Sequence, residues 1–283
     1  LLAATVRAYA LTAQPARVWD AQANADALAR IFPHIDRAAI IARMSDRSRQ
    51  LVYLRRGLTP AQREAVMAMG LAGIGFEPED RRAYPHGALA AHAIGYANVD
   101  LTAFGGVENG LDTMIRQAGA AGRPVRLSLD VRVQFALEQE LAVAAQGAGA
   151  SAGAAILLDG RNGEIYAFAS WPGFDPNNFG AVSEQVRRDR VAGVVRELGS
   201  TMKPFTLAMA LEEGLTSSRE AFDLSEPLTI ERTAIVDQEQ ILGPVGLREI
   251  LARSSNIGAA RLALRLGGAR QRAYLERLGL TAP

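Results

Sequence analysis

Lys203 is the only lysine in a chain of 283 residues, whose other 30 basic residues are all arginine. The distinction is chemical: arginine keeps its proton in a protein, whereas a desolvated lysine titrates toward neutrality and can then act as a base. Lys203 stands three residues after Ser200, in Leu198-Gly199-Ser200-Thr201-Met202-Lys203-Pro204-Phe205. A helix beginning near Gly199 or Ser200 puts positions 200 and 203 on one face, where an amine can reach a hydroxyl. Pro204 agrees with that start, because a residue lacking an N–H is tolerated in the first helical turn. A serine hydroxyl becomes nucleophilic when a neighbouring base takes its proton, and the positive end of a helix favours the developing anion. The apolar run Phe205, Leu207, Ala208, Met209 and Leu211 is expected to bury the helix and so to lower the lysine pKa. A purely structural alternative stands beside this one, since Gly-Ser ahead of a helix is also an ordinary N-cap.

A second polar cluster, Ser254-Ser255-Asn256, interrupts a helical region. Leu247, Ile250 and Leu251 form an apolar stripe before it, and Ile257, Ala260, Arg261 and Leu264 resume one after it. Polar groups set between buried helices must find partners. Either Ser254 relays a proton between Lys203 and a leaving group while Asn256 hydrogen-bonds substrate, or these residues simply cap a helix.

Composition narrows the remaining chemistry. Apolar residues make up 49 % and charged residues 22 %, with 27 Gly and 12 Pro, the profile of a folded globular protein. A net charge of +1 leaves no field for gripping a nucleic-acid backbone, so nucleic acid is excluded as a partner. The absence of cysteine removes thiol nucleophiles, disulfides and thiolate metal sites together. His34, His86 and His92 have no metal-binding spacing, and no G-x-S-x-G elbow marks a Ser-His-Asp hydrolase. The uncharged run Leu141 to Leu158 is broken by Gln146, Ser151 and glycines into a helix end, a loop and a strand start. The first residue is Leu1 and no signal-peptide pattern opens the chain, so a processed piece of a longer protein is expected.

At about 150 residues per domain the length suggests two domains. Residues 1–124 read as short mixed elements, with helices expected at Ala21 to Phe32 and from Thr59-Pro60 through Glu64 to Met69. Gly73, Gly75, Pro78, Pro85, Gly87, Gly95, Gly105 and Gly106 then suit short strands and loops. Ala118 to Pro124 is the expected linker, and residues 125–283 form the second domain. There Asp130 can cap a helix carrying Val133, Leu137 and Leu141, and Gly160-Arg161-Asn162-Gly163 separates two apolar runs as in a hairpin. After the loop Trp171 to Asn178 the chain is expected to be mostly helical.

S-x-x-K followed some fifty residues later by S-x-N is the ordered signature of penicillin-recognising acyl-serine enzymes. Glu197-Leu198-Gly199-Ser200-Thr201-Met202-Lys203-Pro204 resembles the E-P-G-S-T-x-K-P segment of class B penicillin-binding proteins, and Arg253-Ser254-Ser255-Asn256-Ile257-Gly258 resembles their K-S-S-N-V-G. Leu198 departs from the family's proline, which changes how rigidly the chain enters the helix. Gly163 to Ala169 and Pro172-Gly173-Phe174-Asp175-Pro176-Asn177 look like the hairpin and F-D-P-N loop of that family. Arg82 to Gly87, His92 to Tyr96, Asn98-Val99-Asp100 and Gly106-Val107-Glu108 resemble its N-terminal pedestal, or dimerisation, module, and are expected to be structural. The order of these last segments leans toward the cell-division, or septal, branch.

The resemblance implies an α+β fold, with a pedestal of short strands and helices before a truncated α/β transpeptidase domain. It implies a peptidoglycan D,D-transpeptidase that forms an acyl-serine intermediate, with Ser200 as nucleophile, Lys203 as general base, Ser254 as proton relay and Asn256 orienting the substrate amide. Implied partners are peptidoglycan stem peptides, β-lactam antibiotics and membrane proteins of the division machinery; no metal or organic cofactor is implied. The implied location is the bacterial cell envelope, anchored in the inner membrane with the domains on the periplasmic side and the anchor outside this chain. The family's K-T/S-G motif needs a second lysine, so the C-terminal part of the domain is expected to lie outside these residues. That part supplies one oxyanion N–H, a donor worth about 3–4 kcal/mol of barrier, and this chain alone is expected to be nearly inactive. Two alternatives remain: a serine β-lactamase or D,D-carboxypeptidase, and a non-catalytic envelope scaffold of the same fold.

Overall fold

The computed structural model describes residues 1–281 as two compact units, one of residues Leu1–Val195 and one beginning at Arg196. The expected linker at Ala118 to Pro124 lies inside the first unit.

The first unit opens with a three-stranded antiparallel sheet in the order β2-β1-β3, formed by β1 (Ala4–Ala13), β2 (Val52–Leu58) and β3 (Ile74–Ala83). Strand β3 is longer than its glycines and proline suggest. It runs unbroken through Pro78, paired opposite Tyr9, because an edge strand leaves the missing N–H on its open side. Against the sheet pack α1 (Ala21–Ile31), α2 (Arg37–Ser45) and α3 (Pro60–Met67), burying Leu11, Leu28, Met44, Leu58 and Val66. Helix α1 forms where expected, with Asp20 accepting from the Ala23 amide at 2.9 Å. Helix α3 begins at Thr59-Pro60 as expected, but its reciprocal cap uses Gln62: Thr59 Oγ1 accepts from the Gln62 amide, and Gln62 Oε1 from the Thr59 amide.

Short elements follow: α4 (Ala91–Ile94), β4 (Tyr96–Ala97), β5 (Ala103–Phe104), α5 (Gly106–Gly110) and α6 (Asp112–Ala120). Gly95 and Gly106 both have positive φ, and a Cβ at either would collide with backbone of the other's segment, so two chain segments cross here at a separation only glycine permits. Arg82 and Glu108, from two of the segments expected to be structural, form a bidentate pair buried to 14 % and 6 % side-chain exposure.

Helix α7 (Val131–Gly147) is capped by Asp130, and β6 (Gly153–Leu158) and β7 (Ile165–Trp171) form the expected hairpin. The buried Gln134 amide ties helix to strand, donating to Phe168 O and accepting from Phe168 N, both at 2.8 Å. In the loop beyond, Asn177 accepts from the Tyr84 amide at 3.0 Å and donates to Tyr84 O at 2.9 Å, which gives the F-D-P-N asparagine a structural task. Helix α8 (Glu184–Arg187) follows, and Val186 O meets Nε2 of buried His92 at 2.9 Å.

The second unit is not purely helical. A 3₁₀ turn (Gly199–Met202) leads into α9 (Lys203–Glu212); then come β8 (Ala221–Asp223), paired with β11 (Pro244–Gly246), and β9 (Leu228–Ile230), paired with β10 (Thr233–Ile235). Helices α10 (Leu247–Ala252), α11 (Asn256–Leu266) and α12 (Gly268–Arg277) complete it. The core joins Leu207 and Ala210 to Phe222, Leu224, Ile241, Leu247, Ile250, Ile257 and Leu262. Gly258 lets α10 and α11 close on each other, since a Cβ there would lie 2.7 Å from the Ile250 side chain. Among the described residues no helix is long and apolar enough to cross a membrane.

Candidate active site

Burial of α9 is one-sided. Leu207, Met209 and Ala210 are buried, but Phe205, Ala208 and Leu211, expected inside, are exposed. The helix is apolar around most of its circumference, and within this unit only one side meets α10, α11 and α12.

The 3₁₀ turn settles how Ser200 and Lys203 relate. The Lys203 amide bonds Ser200 O in the i to i+3 pattern, and with three residues per turn positions 200 and 203 eclipse. They therefore share a face. The N-cap alternative fails, because no side chain caps either the 3₁₀ turn or α9; the Ser200 hydroxyl is exposed and does no capping. Among the described residues no hydrogen bond joins that hydroxyl to the Lys203 amine. Pro204 falls in the first turn of α9, as its missing N–H requires.

The amine instead reaches across to the turn between α10 and α11. Lys203 Nζ donates to Ser254 O, to Ser254 Oγ at 3.0 Å and to Asn256 Oδ1 at 2.6 Å. Two motifs more than fifty residues apart in sequence thus meet at one nitrogen. Ser254 lies in the left-handed region, φ +53°, a conformation that costs a non-glycine residue about 1–2 kcal/mol and here turns both its carbonyl and its hydroxyl toward the amine. Ser255 takes the capping role, accepting from the Gly258 amide at 2.9 Å, and is fully buried. Leu251 and Leu264, expected on the buried stripes, are exposed; Leu262 and Leu266 are buried in their place.

Burial lowers the Lys203 pKa from the ordinary lysine value, and the negative charge of Asp237 opposes that shift. Asp237 has no sequence signature: it lies in the stretch after β10, and only the fold carries it to the start of α11. Its carboxylate accepts from the Ser255 hydroxyl at 2.7 Å and from the amides of Asn256 and Ile257.

The partners of the amine suit both of its protonation states. An ammonium has three N–H groups for the three acceptors. A neutral amine keeps two, for Ser254 O and Asn256 Oδ1, and offers its lone pair to the Ser254 hydroxyl proton. A proton can pass between Lys203 and Ser254 while the amine keeps hydrogen-bond partners in both states.

Residues 153–283 match the model of the penicillin-binding protein transpeptidase domain, and residues 1–104 that of the penicillin-binding protein dimerisation domain. The chain belongs to the class B penicillin-binding protein family. It is 39 % identical to the probable peptidoglycan D,D-transpeptidase FtsI of Caulobacter vibrioides over all of this chain and 48 % of that protein. It is 31 % identical to the probable peptidoglycan D,D-transpeptidase PenA of Neisseria gonorrhoeae over 84 % of this chain and 45 % of that one. The chain therefore spans about half the length of these relatives. The fold is that of penicillin-binding protein 2X from Streptococcus thermophilus, with a TM-score of 0.67 at 18 % identity, covering 97 % of this chain and 49 % of that one.

Proposed function

We propose that the protein containing this chain is a peptidoglycan D,D-transpeptidase of cell division, with residues 1–124 as its pedestal and residues 125–283 as part of its transpeptidase domain. Ser200 Oγ attacks the carbonyl carbon of the D-Ala-D-Ala peptide bond of a stem peptide. Lys203, as the neutral amine, takes the hydroxyl proton. The carbon–nitrogen bond breaks, and the proton travels from Lys203 through Ser254 to the departing D-alanine amine. Asn256 holds the amide of the bound peptide. An amine from a second stem peptide then attacks the ester, a new carbon–nitrogen bond forms, and its proton returns to Ser200 by the reverse route. A penicillin acylates the same hydroxyl.

One observation carries this reading: Lys203 Nζ is shared between Ser254 and Asn256, so the lysine of S-x-x-K and both polar residues of S-x-N meet at one nitrogen. The relatives named as peptidoglycan D,D-transpeptidases support the reaction class. The same resemblance supports a location in the bacterial envelope, an inner-membrane anchor in the longer protein, and division-machinery proteins as partners.

The test labels the full-length protein with a fluorescent penicillin and maps the modified peptide. The label is expected on the peptide holding Ser200 and is expected to vanish in Ser200→Ala; label on another peptide would overturn the assignment. With paired stem peptides, a cross-linked product is expected. Release of D-alanine without cross-linking would favour a carboxypeptidase, fast turnover of the penicillin a β-lactamase, and no label a scaffold.

A further inference from the structure

The Ser254–Asn256 turn is held from outside by two consecutive residues, Val236 and Asp237. Val236 O accepts from Asn256 Nδ2 at 2.9 Å, which orients the Asn256 amide so that Oδ1 faces Lys203 Nζ. Asp237 uses both carboxylate oxygens: Oδ2 accepts from Ser255 Oγ at 2.7 Å, and Oδ1 accepts from the amides of Asn256 and, at 3.0 Å, Ile257. These amides open an eleven-residue helix, α11, whose N-terminus favours a negative charge. The same aspartate therefore grips the residue between the two amine partners and the backbone of one of them.

We propose that Asp237 is a positioning residue of this active site, fixing Ser254 and Asn256 as partners of the Lys203 amine and setting the charge that the amine feels. This rests on the function proposed above, since it assigns Asp237 its task through Lys203. Asp237 does not touch the amine: among the described residues Lys203 has no ion-pair partner, and Asp237 is the one charged side chain that acts on it. Its other near neighbours, Ser254 and Asn256, are neutral. Two effects follow. Geometrically, the carboxylate keeps the turn in register with α9. Electrostatically, its field favours the ammonium and opposes the burial that favours the neutral amine.

Asp237→Asn separates these effects from general stability. Asparagine retains one acceptor oxygen for the two amides, but its NH₂ cannot accept the Ser255 proton, and the charge is gone. Without that charge Lys203 loses its proton at lower pH. The experiment measures the rate of Ser200 acylation by a fluorescent penicillin against pH in the full-length protein, normalised to the fraction that can be labelled. For Asp237→Asn the acid limb is expected to move to lower pH, and the plateau rate to fall by about ten- to a hundredfold, the scale of a small misplacement of reacting groups. Asp237→Glu keeps the charge on a longer arm, so its limb stays at the wild-type pH while its plateau falls severalfold. An Asp237→Asn limb and plateau equal to wild type, or a smaller labelled fraction with an unmoved limb, would overturn the proposal. If Asp237→Asn does not fold, a wild-type plateau in Asp237→Glu overturns it alone. Label persisting in Ser200→Ala would instead sink the proposed function, and this proposal with it.

Discussion

Arg82 and Lys203 are both partly buried cations, and the molecule treats them in opposite ways. Arg82 meets a carboxylate head on: its Nε and Nη2 grip Glu108, with Nη2 to Oε1 at 2.7 Å, and Nη1 reaches Thr5 at 3.2 Å. Lys203 is surrounded by neutral acceptors, and its nearest acting carboxylate, Asp237, is spent on the Ser255 hydroxyl and the amides that open α11. A cation whose task is to hold segments together gains from direct pairing with a charge it never leaves. An amine that must give up its proton is better served by uncharged partners that remain satisfied after it does. The contrast matches the proposed role of Lys203, and burial alone would not have drawn it, since the Arg82–Glu108 pair is the more deeply buried of the two.

The largest effect on this comparison should come from making the two sites alike. Lys203→Arg keeps a positive charge and hydrogen-bond donors but cannot release a proton at any working pH. Its rate of penicillin acylation in the full-length protein is expected to fall by about a hundred- to ten-thousandfold, the usual worth of a positioned base. A rate within a few-fold of wild type would mean that the amine serves only as a charge. The complementary change, Glu108→Ala, strands the Arg82 guanidinium in a buried site. Urea unfolding should then reveal a loss of about 3–5 kcal/mol, the cost of breaking a buried pair from one side, while folded molecules keep their acylation rate. A loss of less than about 1 kcal/mol would show that Arg82 finds water and that the pair holds nothing. Smaller and more diagnostic is the Asp237→Asn profile, because it leaves Lys203 in place and alters only what surrounds it.

Much of this was legible in the sequence, for identifiable reasons. A sole lysine three residues from a serine and a Ser-x-Asn cluster are local signals, and local geometry carries them: the 3₁₀ turn eclipses Ser200 and Lys203, and the left-handed Ser254 directs two oxygens to one nitrogen. The α7 cap at Asp130 and the hairpin around Gly160 to Gly163 are equally local and form as expected. What the sequence concealed is non-local. Pro78 looks like a strand breaker until β3 turns out to lie at a sheet edge. The apolar residues of α9 do not tell which of them another helix will cover, so Phe205 and Leu211 look as buried as Leu207. The small strand pairs between α9 and α10 are only three residues long and leave little periodicity to detect. Asp237 owes its importance entirely to that stretch folding back onto α11.

Lys203 should lose its proton more readily than an ordinary lysine while sharing its nitrogen with Ser254. This is tested most directly by titrating the lysine side-chain amines of the full-length protein by nitrogen-15 NMR, with Lys203→Arg identifying the Lys203 resonance. The expected midpoint lies below the ordinary lysine value of about 10.4, with Ser254→Ala displacing it. A Lys203 midpoint at or above that value, unchanged in Ser254→Ala, would contradict it.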